Sequence, residues 1–304
     1  MNFPQIALSI FSILKGDLTM QSYAKKLLRR TMFTSILFSI LLLAPSCFEQ
    51  KTIYEVNTLQ KLEQEIPKLD EHSLVIFDID YTLIYPKSLW FHPMKRALVR
   101  KQFSRLQKEL SKEEFEKILS RLYLLGEHRL LDENSKTIIE NIKKTGAKVI
   151  TLTKAPVGKI GIVDSVEALR VKELKSVGLD FSDAFPAQPS IVLKNLSRLH
   201  VNPVFYHGIL ISTSYPKGEV LTEFLKQINW KPNKIVFIDD ERSFVESVKT
   251  AVDDLKINFL GLYYTAAEQL PYDANEASVR LQFDHFIKTN KWLSDGDAKK
   301  LLEQ

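Results

Sequence analysis

The sequence predicts an α/β fold in which a doubly wound, mostly parallel sheet carries a small helical insertion after its first central strand. Three observations lead there. Leu74-Val75-Ile76-Phe77 and Ile235-Val236-Phe237-Ile238 are short apolar runs, and each stops at an acid, Asp78 or Asp239. Runs of this length without polar alternation read as strands buried on both faces, the usual condition of a parallel sheet. Between Thr82 and the next strand, starting at Ala147, lie about 65 residues, whereas a crossover needs only a dozen or more, so something is inserted.

The 304 residues are 45% hydrophobic and 26% charged, which suits one large core or two modest ones. The formal charge of +5 is concentrated at one end. Residues 1–46 hold five bases (Lys15, Lys25, Lys26, Arg29, Arg30) and one acid, Asp17, leaving 37 bases against 36 acids in the remainder. A near-neutral body lacks the electrostatic footprint of a DNA or RNA binder, so no nucleic-acid partner is expected.

Cys47 is the single cysteine, which excludes a disulfide, a thiolate nucleophile and a cysteine-based zinc site from the body. Lys25-Lys26-Leu27-Leu28-Arg29-Arg30 precedes the uncharged run Thr31 to Ser46, closed by small residues, and this is the layout of a secretory signal. With Cys47 directly after it, the segment also resembles a bacterial lipoprotein signal, in which the cysteine becomes the lipidated first residue. Leu43 stands four residues before Cys47, where that pattern has leucine at three. The alternative is an uncleaved anchor, since 16 residues sit at the short limit for a bilayer-spanning helix. Met20 as the start would give a leader of ordinary length. Residues 1–47 are thus expected to be a leader, and 48–304 an exported body held in the cell envelope by lipid or anchor.

Along the body, Asn57 is placed to cap a short helix through Leu62 and Ile66, ended near Pro67. The strand to Asp78 follows. Met94 to Leu110 reads as a basic helix, and Ser111-Lys112-Glu113-Glu114 is a capping box opening a second one with Phe115, Ile118, Leu119 and Leu122 on one face. Leu89 to about Leu130 is therefore expected to form a helical cap over the cleft. Its bases Lys95, Arg96, Arg100, Lys101, Arg105 and Lys108 read as a solvated helix face. Asp132 is placed to cap a helix closed by Gly146, and the strand Ala147 to Thr153 ends in a hydroxyl. Asp164 or Ser165 starts the next helix, ended at Gly178. Ile191 to Leu199 and Val204 to Thr213, with Asn202-Pro203 between, read as strands or a hairpin. Pro216-Lys217-Gly218-Glu219 opens a helix through Ile228, the second acid-ended strand covers Lys234 to Asp240, Phe259 to Tyr264 is one more strand, and helices start near Asn275 and Ser294.

Strand ends at Asp78, Thr153 and Asp239, with Lys217 opening the helix before the last, would set acid, hydroxyl, ammonium and acid along one sheet edge, where ligands of open α/β sheets gather. Asp78 and Asp80 suit a divided task, one carboxylate attacking an electrophile and the other handling a proton, with the Thr82 hydroxyl serving the turn. Lys154 and Lys159 are alternatives to Lys217. The histidines show no close metal-ligand spacing; His128 and His207 read as ordinary residues, and His92, beside Trp90 and Phe91, is the one expected nearest a substrate.

In order and spacing, Asp78-Ile79-Asp80-Tyr81-Thr82, Thr153, Lys217 and Asp239-Asp240 resemble the four motifs of the haloacid dehalogenase superfamily, over residues 73 to 264. Within it the chain looks like an uncharacterised bacterial family of exported members, and less closely like the class B and C acid phosphatases. Phe244 departs from the pattern, standing where relatives with an Asp-Asp fourth motif often carry Asn. The resemblance implies a Rossmann-like core and a phosphatase in which Asp78 attacks phosphorus, Asp80 protonates the leaving oxygen and later activates water, and Thr82 and Thr153 face the substrate. Carboxylates cannot crowd together bare, because two charges about 4 Å apart repel by about 4 kcal/mol at an effective dielectric near 20. All-oxygen donors and a phosphate substrate point to Mg2+, with Asp78, the Asp80 carbonyl, Asp239 and Asp240 as ligands, while Lys217 neutralises charge in the transition state. A dehalogenase would not need the acid at Asp80. The reading from another class is a surface lipoprotein of the same fold that binds a phosphorylated ligand or a protein partner without turnover.

Overall fold

The computed structural model describes residues 52–86, 92–199, 201–271 and 275–304. The leader with Met20 and Cys47, and Leu89, Trp90 and Phe91 at the start of the expected insertion, lie outside the described residues. In chain order the elements are β1 (Ile53–Val56), α1 (Gln60–Glu63), β2 (Ser73–Phe77), β3 (Ile84–Pro86), α2 (Arg96–Glu109), α3 (Lys112–Leu124), β4 (His128–Leu130), α4 (Ser135–Lys144), β5 (Lys148–Thr153) and α5 (Val166–Ser176). There follow β6 (Ser190–Val192), β7 (Val204–Tyr206), β8 (Ile209–Ile211), α6 (Lys217–Gln227), β9 (Lys234–Asp239), α7 (Arg242–Asp254), β10 (Asn258–Tyr264), α8 (Glu276–Thr289) and α9 (Asp295–Leu302).

Eight strands form one sheet in the order β1-β10-β9-β2-β5-β8-β7-β6. All pairs from β1 to β8 are parallel, and only β7 is reversed, pairing antiparallel with β8 and with the edge strand β6. The chain moves from β2 to β5 and β8 on one side, then returns to place β9 on the other side of β2. The connections of β2 and β9 therefore diverge, opening the crevice that doubly wound sheets use for ligands.

Residue alternation along β2 explains why both faces are covered. Leu74 and Ile76 pack with Val220, Leu221 and Phe224 of α6 and Val245, Val248 and Val252 of α7. Val75 and Phe77 pack on the opposite face with Ile138, Ile139 and Ile142 of α4 and Val166 and Leu174 of α5. Val75, Ile76 and Phe77 are fully buried, each contributing about 1.5–3 kcal/mol, so the strand end that carries Asp78 is firmly anchored.

A third apolar cluster lies apart from these. Val99 and Leu106 of α2 and Ile118 and Leu122 of α3 pack with Val279, Phe283 and Phe286 of α8. Phe103 stands edge-on to both Phe115 and Phe283, with centroids 6.1 and 5.5 Å apart. The two inserted helices thus share a core with the C-terminal region, and β3 and β4 pair antiparallel at the base of the insertion.

Several local expectations change. The first helix starts at Gln60 behind Leu59, and Asn57 does not cap it. Asp132 precedes the α4 N-cap, Asn134, and accepts that residue's N–H at 2.9 Å. The stretch after Val192 leaves the sheet, and Val204 to Thr213 is two strands around a turn at His207-Gly208, both at positive φ. Gly is required there, since a Cβ on Gly208 would lie 2.1 Å from the Phe181 carbonyl oxygen. The basic face of α2 is not simply solvated. Lys95 is buried against Asp295 at 2.5 Å, Lys101 and Arg105 meet Glu276 and Asp284 at 2.5 and 2.6 Å, and Arg96 turns into the crevice. The capping box of α3 forms as its sequence predicts, between Ser111 and Glu114.

Candidate active site

Asp78 is the first residue beyond β2, and its N–H donates to the Ile238 carbonyl at 2.8 Å, which fixes its backbone beside the end of β9. A tight turn follows. The Leu83 and Ile84 N–H groups both reach the Ile79 carbonyl at 3.0 Å, and Tyr81 is held at φ 61, a region a residue of its bulk rarely adopts. Thr82 is buried, and its hydroxyl accepts the Asp240 N–H at 3.1 Å, tying the two loops together. It is not among the residues lining the cavity, and its hydroxyl is engaged between the two loops.

Lys217 is the first residue of α6, behind Pro216. The next position must be glycine, because a Cβ on Gly218 would stand 2.2 Å from the Ser247 carbonyl oxygen of α7. This close approach of two helix backbones sets the start of α6 under the crevice. From there the fully buried Lys217 ammonium donates to Asp78 Oδ1 and Asp239 Oδ2, each at 2.6 Å. Asp239 Oδ1 accepts the Glu241 N–H at 2.8 Å.

One carboxylate oxygen from each of Asp78, Asp239 and Asp240 lies within 4.8 Å of the others. Arg96, reaching over from α2, pairs with both Asp240 and Glu241. Four carboxylates therefore face two cations, an excess negative charge that an all-oxygen donor set would present to a divalent ion. The electrostatics agree. Burial pushes Asp78 above its ordinary pKa, with Lys217 only partly offsetting it, and it raises Asp239 further. Asp240 is pushed up to about 7, mainly by burial, against the pull of Arg96. Burial opposes the charge on Lys217, but Asp239 and Asp78 outweigh it and raise its pKa.

The carboxylate of Asp80 is not part of that group. Its Oδ1 lies 2.8 Å from Nη2 of Arg170, whose Nη1 donates to Glu173 Oε2 at 2.6 Å. Arg170 and Glu173 come from α5 and are buried. Burial pushes Glu173 up to about 7 despite Arg170, and pushes the Tyr123 phenol up to about 12.

A cavity of about 620 Å³ joins these groups. Asp78, Asp80, Thr153, Lys217 and Asp240 form its sheet-edge side, and Arg96, Arg100, Phe103, Leu119, Leu122 and Tyr123 of the inserted helices form the other. Lys154 lines it too, with Nζ 5.6 Å from the centroid of the Phe244 ring, whereas Lys217 lies 4.7 Å from that ring. Phe244 thus packs against the ammonium that the acids hold. Lys159 lies apart at an exposed pair with Asp164. His92 is not at the cavity: it is buried, and its Nδ1 accepts the Met94 N–H at 3.1 Å to cap the turn before α2. His128, read as ordinary, does line the cavity.

Arg96, Arg170 and Glu173 join the site without being expected there from the sequence. A signal for Arg170 existed: Val166, Arg170 and Leu174 are spaced by four and so share one helix face with a charge in the middle of it. For Arg96 there was none, since its partners arrive from 144 and 145 residues away.

A family model described as "Protein of unknown function (DUF2608)" matches residues 55–299. The chain belongs to the DUF2608 family. The match spans every residue of the crevice. A protein of Rickettsia bellii named as uncharacterized is 26% identical over 285 residues, covering 88% of this chain and 97% of its own length. Another, from Rickettsia prowazekii, is 25% identical over 257 residues, covering 83% and 90%. A Chlamydia pneumoniae protein named "putative outer membrane protein" is 24% identical over 267 residues, covering 86% and 95%. No solved structure matches the chain. Among the described residues, no helix is long and apolar enough to cross a membrane.

Proposed function

We propose that this DUF2608 protein is a Mg2+-dependent phosphatase of the haloacid dehalogenase type, acting on a phosphate monoester through an aspartyl-phosphate. The observation that carries the reading is Lys217 donating to Asp78 and Asp239 at once, with Asp240 beside them, at the point where the sheet's connections diverge. In this reading α2 and α3 are the cap over the cleft.

The roles follow from placement. Asp78 attacks phosphorus, forming an O–P bond while the ester O–P bond breaks, and Asp80 gives its proton to the departing oxygen. Water then attacks the same phosphorus, losing a proton to Asp80, and the Asp78–phosphorus bond breaks to release phosphate. Lys217 offsets the repulsion between the buried acids and the incoming phosphoryl group, and Thr153, at the end of β5 and lining the cavity, is placed to donate to a phosphoryl oxygen. Mg2+, which Asp78, Asp239 and Asp240 fit by donor type and spacing, would supply charge neutralisation when bound.

The pairing of Arg96 with Asp240 and Glu241 favours a second reading, in which the site binds a phosphorylated ligand without turnover. We also place the protein in the cell envelope, supported by its leader pattern and by the outer-membrane name of the Chlamydia relative. Phosphate release from a panel of phosphate esters, with Mg2+ and with EDTA, separates the readings. Multiple turnovers that EDTA abolishes support the phosphatase, and saturable binding without release supports the ligand-binding protein.

A further inference from the structure

The two ends of Asp80 are held in different ways. Its backbone is fixed by the turn bonds on Tyr81, Leu83 and Ile84, with Tyr81 N–H reaching the Ile84 carbonyl at 2.7 Å. Its side chain is 43% exposed, so packing leaves its torsions loose. Arg170 is the opposite case, at 4% side-chain exposure, with no freedom to follow a wandering partner. Glu173, three residues on along the same helix face, takes one arm of the guanidinium through Nη1, while Nη2 lies 2.8 Å from Asp80 Oδ1 as an ion pair without hydrogen-bond alignment. The Arg170 contact is to Oδ1 alone of the Asp80 carboxylate, and Arg170, Glu173 and Asp80 all line the cavity.

We infer that Arg170, oriented by Glu173, is the positioning residue for Asp80, holding Oδ2 where it exchanges a proton with the leaving oxygen and later with water. This inference rests on the phosphatase reading. A planar fork suits the task, because it spans two carboxylates at fixed angles where an ammonium cannot.

The test compares 4-nitrophenyl phosphate, whose leaving group needs no proton, with glycerol 2-phosphate, whose leaving group does. Arg170→Gln is expected to lower kcat/KM, which reads the steps through the first bond cleavage and not the shared water step, about tenfold more on the alkyl ester than on the aryl ester, within the range of a lost general acid. Adding Asp80→Asn to it should produce no further selective loss, since the two residues act as one unit. Glu173→Gln should shift the same ratio less, and Arg170→Lys should fail to restore it. Equal losses of kcat/KM on both esters, or full additivity with Asp80→Asn in kcat/KM, would overturn the inference. A wild-type protein that releases phosphate from neither ester overturns the phosphatase reading instead. Crystal structures then decide the positioning claim alone, using Arg170→Gln with Glu173→Gln so that no lone charge is buried. An Asp80 carboxylate that moves in this variant supports the claim, and one that stays in its wild-type place sinks it.

Discussion

The two sides of the crevice are built by different means. On the sheet-edge side, Asp78 and Asp239 are placed by strand register: Phe77 pairs with Ile238, so the next residues on both chains emerge together. On the insertion side, Arg96, Arg100 and Tyr123 are placed by helices whose apolar contacts are to each other and to α8, in a cluster separate from those on the sheet. Arg96 is a tie between the two, pairing across to Asp240 and Glu241. In the phosphatase reading, the sheet edge would hold the chemistry constant while the insertion changes what it admits. Substitutions on the first side should remove the reaction, and those on the second should alter selectivity and local stability.

The largest effect belongs to Asp78. Asp78→Asn keeps the shape and removes the nucleophile, so turnover should fall to background while phosphate still binds. Asp80→Asn should differ, releasing a burst of aryl product and then stalling, because the water step needs its base. Mass spectrometry of the stalled protein should find one phosphoryl group on the peptide bearing Asp78. Wild-type turnover in Asp78→Asn, or a phosphoryl group elsewhere, sinks the mechanism.

Next comes Lys217. Lys217→Met leaves buried carboxylates unpaired, a change worth about 3–5 kcal/mol of stability at neutral pH. The sign of the pH dependence follows from the raised acids. Burial raises Asp78 and Asp239 and pushes Asp240 up to about 7 in the folded, metal-free protein, so between about pH 4 and 7 Asp240 keeps a proton that the unfolded chain has released, and stability falls as pH rises through that window. Denaturant titrations across that range should show the decline, steeper in Lys217→Met. Stability rising with pH there would mean that the acids are compensated by something other than Lys217 and Arg96.

How much of this was legible follows the same division. The strands ending at Asp78, Thr153 and Asp239 announce themselves because strands covered on both faces must be continuously apolar. Lys217 is legible through its neighbours, Pro216 and Gly218, which mark a helix start. β1 is not legible, being three half-exposed residues and the exposed Glu55, which pair only along the edge of β10. Nor is the union of α2 and α3 with α8, since an amphipathic stripe says that a face is covered without saying by what. The same holds for the basic run of α2: its sequence matches a solvated face, and only the arrival of Asp240, Glu276, Asp284 and Asp295 gives it partners. His92 illustrates the converse, a residue that looks available and turns out to be buried in a cap.

Metal should produce a smaller effect. Mg2+ at a hundredfold excess over its dissociation constant stabilises a folded-state site by about 2.7 kcal/mol, a melting shift of roughly 5–10 °C for a body of this size. Asp239→Ala should abolish the shift. Arg96→Ala should keep it or enlarge it, because Asp240 and Glu241 lose a competing cation. An unchanged shift in Asp239→Ala would put the ion elsewhere.

The smallest effect tests whether the insertion is a separate cooperative unit. Ser111 accepts the Glu114 N–H at 3.3 Å, and the Glu114 carboxylate accepts the Ser111 N–H at 3.0 Å, all on the surface of α3 and away from the crevice. Ser111→Ala removes the cap at a cost of about 1 kcal/mol, close to a fivefold change in a local opening equilibrium. Because α2, α3 and α8 have their own core, that loss should appear as faster amide exchange over Lys112–Leu124 and its partners Val279–Phe286. Exchange in β2 and β9, the melting temperature and the Mg2+ shift should stay as in the wild type. If the whole body melts instead about 2–4 °C lower with exchange unchanged in pattern, the insertion and sheet are one unit, and the two sides of the crevice are not independent.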